Sequence, residues 1–198
     1  MTWANNIGLY QKKKYKDVLD QAATKGTYVH DAIEDYIKNG NELNMENVMS
    51  GYRMEVHNAY ESFKSWWTML NTNYTVEVLM QEAKLVCPWF GGTLDLLVKI
   101  DGRIYLLDFK TSNSHSYKYF LQLAAYRYML RNSYGIFVDG CGVIKLDKKS
   151  IKYEEYVVEC HCCDFMNDCE TTFLSLVYSY INKCNVESYY KKLFDQEN

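Results

Sequence analysis

The segment GGTLDLLVKIDGRIYLLDFKTS, residues 91–112, constrains the fold more than any other part of the chain. Asp101 and Gly102 lie between two apolar runs and predict a two-residue hairpin turn, because a type I′ turn needs positive φ at both central positions. The runs extend from Leu94 to Val98 and from Ile104 to Leu107 and are apolar on both faces. This pattern is typical of central strands that are covered on both sides.

Two acids and a lysine interrupt these apolar strands. With a two-residue turn, Asp95 opposes Asp108, and Lys110 lies on the same face as Asp108 because side chains alternate with period two. Like charges directly opposite each other destabilise a strand pair, and buried carboxylates need a nearby cation. The pattern therefore predicts a charged cluster in which Lys110, a divalent metal, or both supply the positive charge.

The length and charge of the chain limit its class. A chain of 198 residues is typical of one domain with a buried core of its own. We therefore predict a single domain over residues 1–198, with a mainly helical part at 1–72 and a sheet-and-helix core at 73–198. The formal net charge of −3 excludes a global basic field, so nucleic-acid binding would depend on a local patch.

Several features of the sequence indicate the cellular compartment. The seven cysteines are odd in number and crowded, which argues against a disulfide framework. Residues 1–16 are polar and basic, unlike a signal peptide, and no apolar run approaches membrane-spanning length. We expect a cytoplasmic protein with reduced thiols and no membrane association.

The apolar spacing along the chain predicts a small mixed sheet with helices packed on it. We expect helices at residues 17–38 (with a break or restart at 25–27 as an alternative), 45–70, 114–132 and 169–184. Strands are expected at 74–86, in the 90–110 hairpin, and at 135–146 and 152–160. In the last helix, the apolar residues Phe173, Leu176, Val177 and Tyr180 lie at helical spacing.

Four motifs carry a family resemblance. They are KGTYVHDAIEDYI, GGTLDLL, LLDFKTS and YFLQLAAY, and they occur in this order between residues 26 and 126. Together they resemble the RecB-type branch of the PD-(D/E)xK nuclease superfamily, which includes phage and CRISPR-adaptation nucleases. The proline of the superfamily's name is absent, since Leu94 precedes Asp95. The resemblance implies a restriction-endonuclease-like α/β core with N-terminal helices.

The resemblance also implies a metal centre. Its ligands would be His30, Asp95, Asp108 and the backbone carbonyl of Phe109, holding Mg²⁺ or Mn²⁺. Carboxylate oxygens suit Mg²⁺, and an imidazole favours Mn²⁺. A structural ion pair of the aspartates with Lys110, and a purely structural role for His30, are the alternatives.

A further acid is expected on the strand before the hairpin. The family often places one there, and Glu82 is the candidate because Glu77 lies farther from the hairpin. A solvated charge at a sheet edge is the alternative interpretation of Glu82.

Three more residues are implied to act in catalysis. Lys110 would orient the attacking water or stabilise negative charge that develops on the phosphate. Gln122 and Tyr126 are four residues apart and therefore share one helix face. The resemblance places them near Lys110 and the DNA phosphates, whereas a buried amide and a core tyrosine are the alternative.

The cysteine-rich segment raises the question of a metal cluster. Cys160, Cys163 and Cys169 have the C-x2-C-x5-C spacing of an iron–sulfur triplet that some RecB-type nucleases carry. Those nucleases draw a fourth cysteine from before the histidine helix, and this chain has none before Cys87. Cys87, Cys162 or Cys184 would have to substitute. We expect reduced thiols rather than a cluster.

The function expected from these motifs is metal-dependent hydrolysis of DNA, with exonuclease action on ends or single strands. A phage or mobile-element role in DNA replication, recombination or processing follows by analogy. The partners would be DNA and either proteins of that machinery or further copies of this chain, although no feature requires a homo-oligomer. There are two rival interpretations: a nuclease fold that binds DNA or protein without cleaving, and a metal- or cluster-stabilised interaction protein whose working part is the cysteine-rich segment.

Overall fold

The computed structural model describes residues 15–161 and 164–194. Its helices are α1 (Tyr15–Asn39), α2 (Arg53–Asn73), α3 (Lys118–Tyr134) and α4 (Phe165–Phe194), with two short 3₁₀ helices at Met45–Asn47 and Ser50–Tyr52. Its strands are β1 (Val76–Val86), β2 (Gly91–Ile100), β3 (Arg103–Lys110), β4 (Gly140–Leu146) and β5 (Tyr153–Glu159).

The five strands form one mixed sheet in the order β1-β2-β3-β4-β5, flanked by helices. The predicted α/β class and restriction-endonuclease-like arrangement are therefore confirmed. Among the helices of the described residues, none combines the length and the apolar composition needed to span a bilayer.

The hairpin forms as its sequence predicts. Asp101 and Gly102 have φ of 47° and 87°, the left-handed conformation that a type I′ turn requires. β2 and β3 pair antiparallel with Val98 opposite Tyr105 and Leu96 opposite Leu107. The turn chemistry alone was enough to fix this register.

The predicted start of the second helix was wrong. The helix expected at 45–70 begins at Arg53, and the preceding segment forms the two 3₁₀ helices. Asn44 caps the first of these, since its side chain accepts a hydrogen bond from the backbone N–H of Glu46 at 2.9 Å. The break considered at 25–27 is absent, because α1 runs without interruption through Gly26.

The last helix differs most from its prediction. α4 has 30 residues and extends well beyond the predicted 169–184. All four residues that were placed at helical spacing lie in α4, but Leu176 is 58% exposed and Tyr180 is 68% exposed. Helical spacing alone did not indicate which face of α4 contacts the rest of the protein.

The chain contains two compact units. The first comprises residues up to Val76, Phe109–His115 and Ile144–Tyr156. In it, α1 packs against α2, and the aromatic side chains of Tyr36, Tyr60, Phe63 and Trp66 form a continuous cluster. The indole N–H of Trp66 donates a hydrogen bond of 2.6 Å to Glu155.

The second unit comprises Glu77–Asp108, Ser116–Val143 and the chain from Val157 onward. Its helices α3 and α4 pack against each other. Glu170 of α4, which is 9% exposed, accepts hydrogen bonds from Arg127 at 3.5 Å and Arg131 at 2.6 Å. Two guanidinium groups thus compensate the one buried carboxylate between these helices.

Candidate metal centre

The hairpin carries two buried aspartates. Asp95 is 8% exposed and Asp108 is 1% exposed. The observed register ends with Leu96 opposite Leu107, and Asp95 and Asp108 are the next residue on each strand. Continuing the register by one step therefore makes them opposite neighbours on one face.

The side chain of Phe109 anchors the end of β3. It is 1% exposed, and its ring lies edge-on to the rings of Phe63 and Trp66, with both centroid distances at 5.5 Å. Since side chains alternate along a strand, Asp108 and Lys110 point to the opposite face. An aromatic anchor on one face thus holds the acid and the lysine in place on the other.

Three side chains come together as a possible metal site. His30 of α1, Glu82 of β1 and Asp95 of β2 each offer one ligand atom, and these atoms all lie within 4.8 Å of one another. Mg²⁺ binds oxygen ligands at about 2.0–2.1 Å, so two ligands of one ion are at most about 4.2 Å apart. The three ligand atoms lie close to that range.

The chemistry of this group suits a divalent cation. Two carboxylates supply hard oxygen donors, and an imidazole adds a nitrogen donor that Mn²⁺ accepts readily. His30 and Glu82 are partly buried and Asp95 is buried, so an ion there would be only partly hydrated. The residues present therefore fit the group that the sequence predicted.

Glu82 has an unusual backbone. Its φ is 44°, and Glu82 and Asp101 are the two non-glycine residues with positive φ in the described part of the chain. A left-handed residue with a Cβ costs on the order of 1 kcal/mol, and such residues cluster at functional sites. Asp101 forms part of the hairpin turn. Glu82 instead lies inside β1 and belongs to the group of His30, Glu82 and Asp95, called the metal group below.

Gln122 and Tyr126 contact each other on α3. The Nε2 group of Gln122 donates a hydrogen bond of 3.0 Å to the hydroxyl oxygen of Tyr126. Tyr126 is 8% exposed and its ring lies against Gly92 of β2, where a Cβ would approach Cε1 to 2.7 Å. The four-residue spacing of Gln122 and Tyr126 predicted that they share one helix face, but it did not predict the contact with Gly92, although the two glycines that open the motif GGTLDLL were a signal for a close approach.

The cysteines of the predicted triplet are partly described. Cys160 has Cys141 as a neighbour, with 3.9 Å between the two Sγ atoms, and Cys169 is buried. Cys162 and Cys163 lie outside the described residues. The hydrogen bond from Cys141 and the charge of Arg127 lower the pKa of Cys160 to about 7, while the same contact and burial raise that of Cys141.

The remaining histidines lie elsewhere. His57, His115 and His161 are exposed. His115 stacks on Tyr156 with ring centroids 3.9 Å apart. Of the four histidines, His30 is the one that joins the acidic group.

A mixed five-stranded sheet flanked by helices, with carboxylates and a histidine that could hold a divalent metal, is typical of a restriction-endonuclease-like α/β protein. Comparison with protein families agrees. Residues 6–171 match the model of the PD-(D/E)XK nuclease superfamily. The match covers most of the chain, so this protein belongs to the PD-(D/E)XK nuclease superfamily. Nucleases of this superfamily use divalent metals. None of the curated proteins compared with the chain matches it.

Proposed function

We propose that this protein is a metal-dependent deoxyribonuclease that hydrolyses phosphodiester bonds, and that it acts as an exonuclease on DNA ends or single strands. The group of His30, Glu82 and Asp95, with ligand atoms all within 4.8 Å of one another, is the observation that carries the proposal. The family match over residues 6–171 supplies the type of reaction.

The ligand set proposed for the metal combines this group with the end of β3. His30, Glu82 and Asp95 would bind the ion, and Asp108 would join from the neighbouring strand, with the backbone carbonyl of Phe109 beside it. A bound Mg²⁺ or Mn²⁺ supplies Lewis-acid stabilisation of the phosphate and lowers the pKa of water. The protein side chains hold the carboxylates in place before the substrate arrives.

Lys110 is proposed to act on the developing charge. It lies two residues beyond Asp108 and therefore on the same strand face. An ammonium group there stabilises negative charge that builds on the phosphate oxygens, or orients the attacking water by donating a hydrogen bond to its oxygen. Loss of that charge removes stabilisation from the transition state, which lowers kcat more than it raises KM.

Gln122 and Tyr126 are proposed to steady Lys110 or the substrate strand. Their mutual hydrogen bond of 3.0 Å and the contact of Tyr126 with Gly92 support a positioning role. The exonuclease mode, products with 5′-phosphate ends, and a phage or mobile-element setting rest on the RecB-type motifs alone.

The decisive experiment is cleavage of end-labelled single-stranded and duplex DNA in Mg²⁺, in Mn²⁺ and in EDTA. Lys110→Ala is compared with Lys99→Ala, a lysine of the same hairpin that is paired with Glu77 at 4.0 Å on the surface. We expect the wild type to degrade DNA only when the metal is present. Lys110→Ala should lower the cleavage rate by about 10²-fold or more, the usual effect of removing one donor that stabilises the transition state. Lys99→Ala should leave the rate unchanged.

The product pattern separates the two modes of cleavage. Mononucleotides released from the labelled strands from the start of the reaction indicate an exonuclease, whereas cleavage of a circular single strand, added as a third substrate, indicates an endonuclease. If the wild type binds DNA but cleaves none of these substrates with either metal, the protein is instead a binding module with a nuclease fold.

A further inference from the structure

A cleft with a volume of about 880 Å³ opens between the N-terminal half of α1, the start of α2 and two loops of the same unit. Three lysines line it, Lys25, Lys148 and Lys149, with Glu55 as the one acidic side chain among the lining residues. The chain as a whole has a net charge of −3. The cleft is therefore a local basic surface on an acidic protein.

The loop that carries two of these lysines is held firmly. Asp147 accepts hydrogen bonds from the backbone N–H of Lys149 at 2.9 Å and from the Ser150 hydroxyl at 2.6 Å. The side-chain amide of Asn58 on α2 donates to the backbone carbonyl of Lys148 at 3.0 Å. The β4–β5 loop is thus fixed to α2 at the residue that projects into the cleft.

The charged form of the Lys148 side chain is destabilised in this position. Burial lowers its pKa, Glu55 opposes that effect and the charge of Lys25 adds to it. Lys25 is already paired with Glu55 at 2.7 Å, so that single carboxylate serves more than one ammonium group. A bound anion would relieve the repulsion and would compensate the desolvation of Lys148.

The cleft begins next to the proposed catalytic strand end. Ser112, Asn113 and Ser114 line it, and Ser112 is two residues beyond Lys110. A chain advances at most about 3.6 Å per residue, so the Cα atoms of Lys110 and Ser112 are within roughly 7 Å. Hydroxyl and amide groups next to lysines are the usual partners of phosphate oxygens.

We propose that this cleft binds phosphodiester groups of the DNA strand next to the bond that is cut, through Lys148 and Lys149 with Lys25. The inference rests on the proposed function, because it assigns the adjoining part of the same substrate. A basic groove that follows a sugar–phosphate backbone is sequence-independent and salt-sensitive. The site thus explains how an acidic protein holds a polyanion.

The test measures binding and not cleavage. Fluorescence anisotropy of a labelled 20-nucleotide single strand in EDTA, over a range of KCl, is compared for wild type, Lys148→Ala, Lys149→Ala and the double variant. Lys183→Ala is the control, since this exposed α4 lysine is paired only with Glu187 of its own helix, at 3.6 Å, among the ion pairs of the described residues. Lys148→Arg keeps the charge and should bind as wild type does.

Each alanine is expected to lower affinity about fivefold near 0.1 M salt and to reduce the slope of log K against log [KCl] by about 0.7, the value for one phosphate contact on a single strand. Wild-type affinity and slope in the double variant would overturn the proposal. If Lys148→Ala fails to fold, the exposed Lys149→Ala decides. Tighter binding of poly-glutamate than of DNA would also overturn it, in favour of an acidic peptide.

The two proposals fail in different ways. A wild type that cleaves DNA, with lysine variants that bind it unchanged, rejects the cleft and keeps the nuclease. A wild type that cleaves nothing, with lysine variants that lose DNA binding, keeps the cleft and rejects the nuclease.

Discussion

Gln122 donates a hydrogen bond from Nε2 to the hydroxyl oxygen of Tyr126 at 3.0 Å. The ring of that tyrosine occupies the space that a side chain at position 92 would need. Tyr126 of α3 and Gly92 of β2 are therefore complementary in shape. Gly92 lies three residues before the buried Asp95. This contact fixes the position of α3 against β2, the strand that carries the carboxylate of Asp95.

The first prediction concerns this contact. A Gly92→Ala variant places a methyl group 2.7 Å from Cε1 of Tyr126, so the ring must shift. We expect the free energy of unfolding to fall by about 1–3 kcal/mol, as is typical of overpacking. Urea denaturation followed by far-UV circular dichroism measures the change.

Two further variants make this prediction specific. Gly51→Ala is the matched control, because a Cβ at position 51 meets nothing within 4 Å. Replacing Tyr126 by Leu should remove most of the penalty of Gly92→Ala, which a double-mutant cycle would show as a favourable coupling. Equal losses from Gly92→Ala and Gly51→Ala would contradict the packing argument.

The second prediction concerns the backbone of Glu82. Its φ of 44° is strained for any residue with a Cβ but open to glycine. Glu82→Gly should therefore be more stable than Glu82→Ala by about 1 kcal/mol, as measured by urea denaturation. Glycine is normally the less stable residue inside a strand, so the sign of the difference is diagnostic.

The same pair of variants tests the metal group. Both remove the carboxylate, so both should lose the rise in melting temperature that Mn²⁺ is expected to give the wild type, since a metal that binds only the folded state stabilises it. Glu77→Ala, on the same strand but paired with Lys99 at 4.0 Å, should keep that rise. Full Mn²⁺ stabilisation in both Glu82 variants would exclude Glu82 as a ligand.

The hairpin could be predicted because its information is local. Asp101-Gly102 determines the turn, the turn determines the register, and period-two alternation then orders Asp95, Asp108 and Lys110 on one face. No tertiary information was needed. His30 was named from its motif, and the structure brings it together with Asp95 and Glu82.

Other features depend on long-range packing and could not be predicted. The positive φ of Glu82 has no sequence signature, because glutamate rarely adopts that conformation. Leu176 and Tyr180 follow helical spacing yet are exposed, since periodicity does not reveal how far a neighbouring element extends. The proximity of Cys141 to Cys160 joins residues of separate elements that no spacing rule connects.

The third prediction concerns the reactivity of Cys160. Its pKa is lowered to about 7, with the hydrogen bond from Cys141 as the largest cause. As the pH rises through 7 the thiolate forms, so alkylation by iodoacetamide should be half-maximal near pH 7. For an unperturbed cysteine, whose pKa is about 8.5, alkylation is half-maximal near pH 8.5. Peptide mass spectrometry over a pH series measures it.

The variant Cys141→Ala tests whether the hydrogen bond from Cys141 causes the lowered pKa of Cys160. Without the donating thiol the thiolate of Cys160 loses its stabilising contact, so the alkylation midpoint should move to higher pH. The exposed Cys184 is the internal reference within each sample. A midpoint for Cys160 that Cys141→Ala leaves in place would contradict the hydrogen-bond explanation.

The fourth prediction concerns Ser62, a fully buried hydroxyl of α2. It accepts a hydrogen bond of 3.0 Å from the backbone N–H of Lys152 and donates one of 2.7 Å to the carbonyl of Asn58. Ser62→Ala leaves the Lys152 amide with one acceptor, the backbone carbonyl of Ser150 at 2.9 Å. We expect a loss of about 1 kcal/mol in the free energy of unfolding, the usual net value of one hydrogen bond.

The local effect of Ser62→Ala should exceed the global one. Hydrogen exchange at the Lys152 amide should accelerate more than exchange in β2, because the loop loses its attachment to α2 while the central strand keeps its own bonds. Ser65→Ala, at an exposed position of the same helix, should change neither measurement.

Ser62→Ala should also affect DNA binding, since the loop that it releases holds Lys148. Single-stranded DNA should bind more weakly, because the lysines are held less firmly. The salt slope should stay the same, because no phosphate contact is removed. A reduced slope in Ser62→Ala would mean instead that loop order determines the number of phosphates bound.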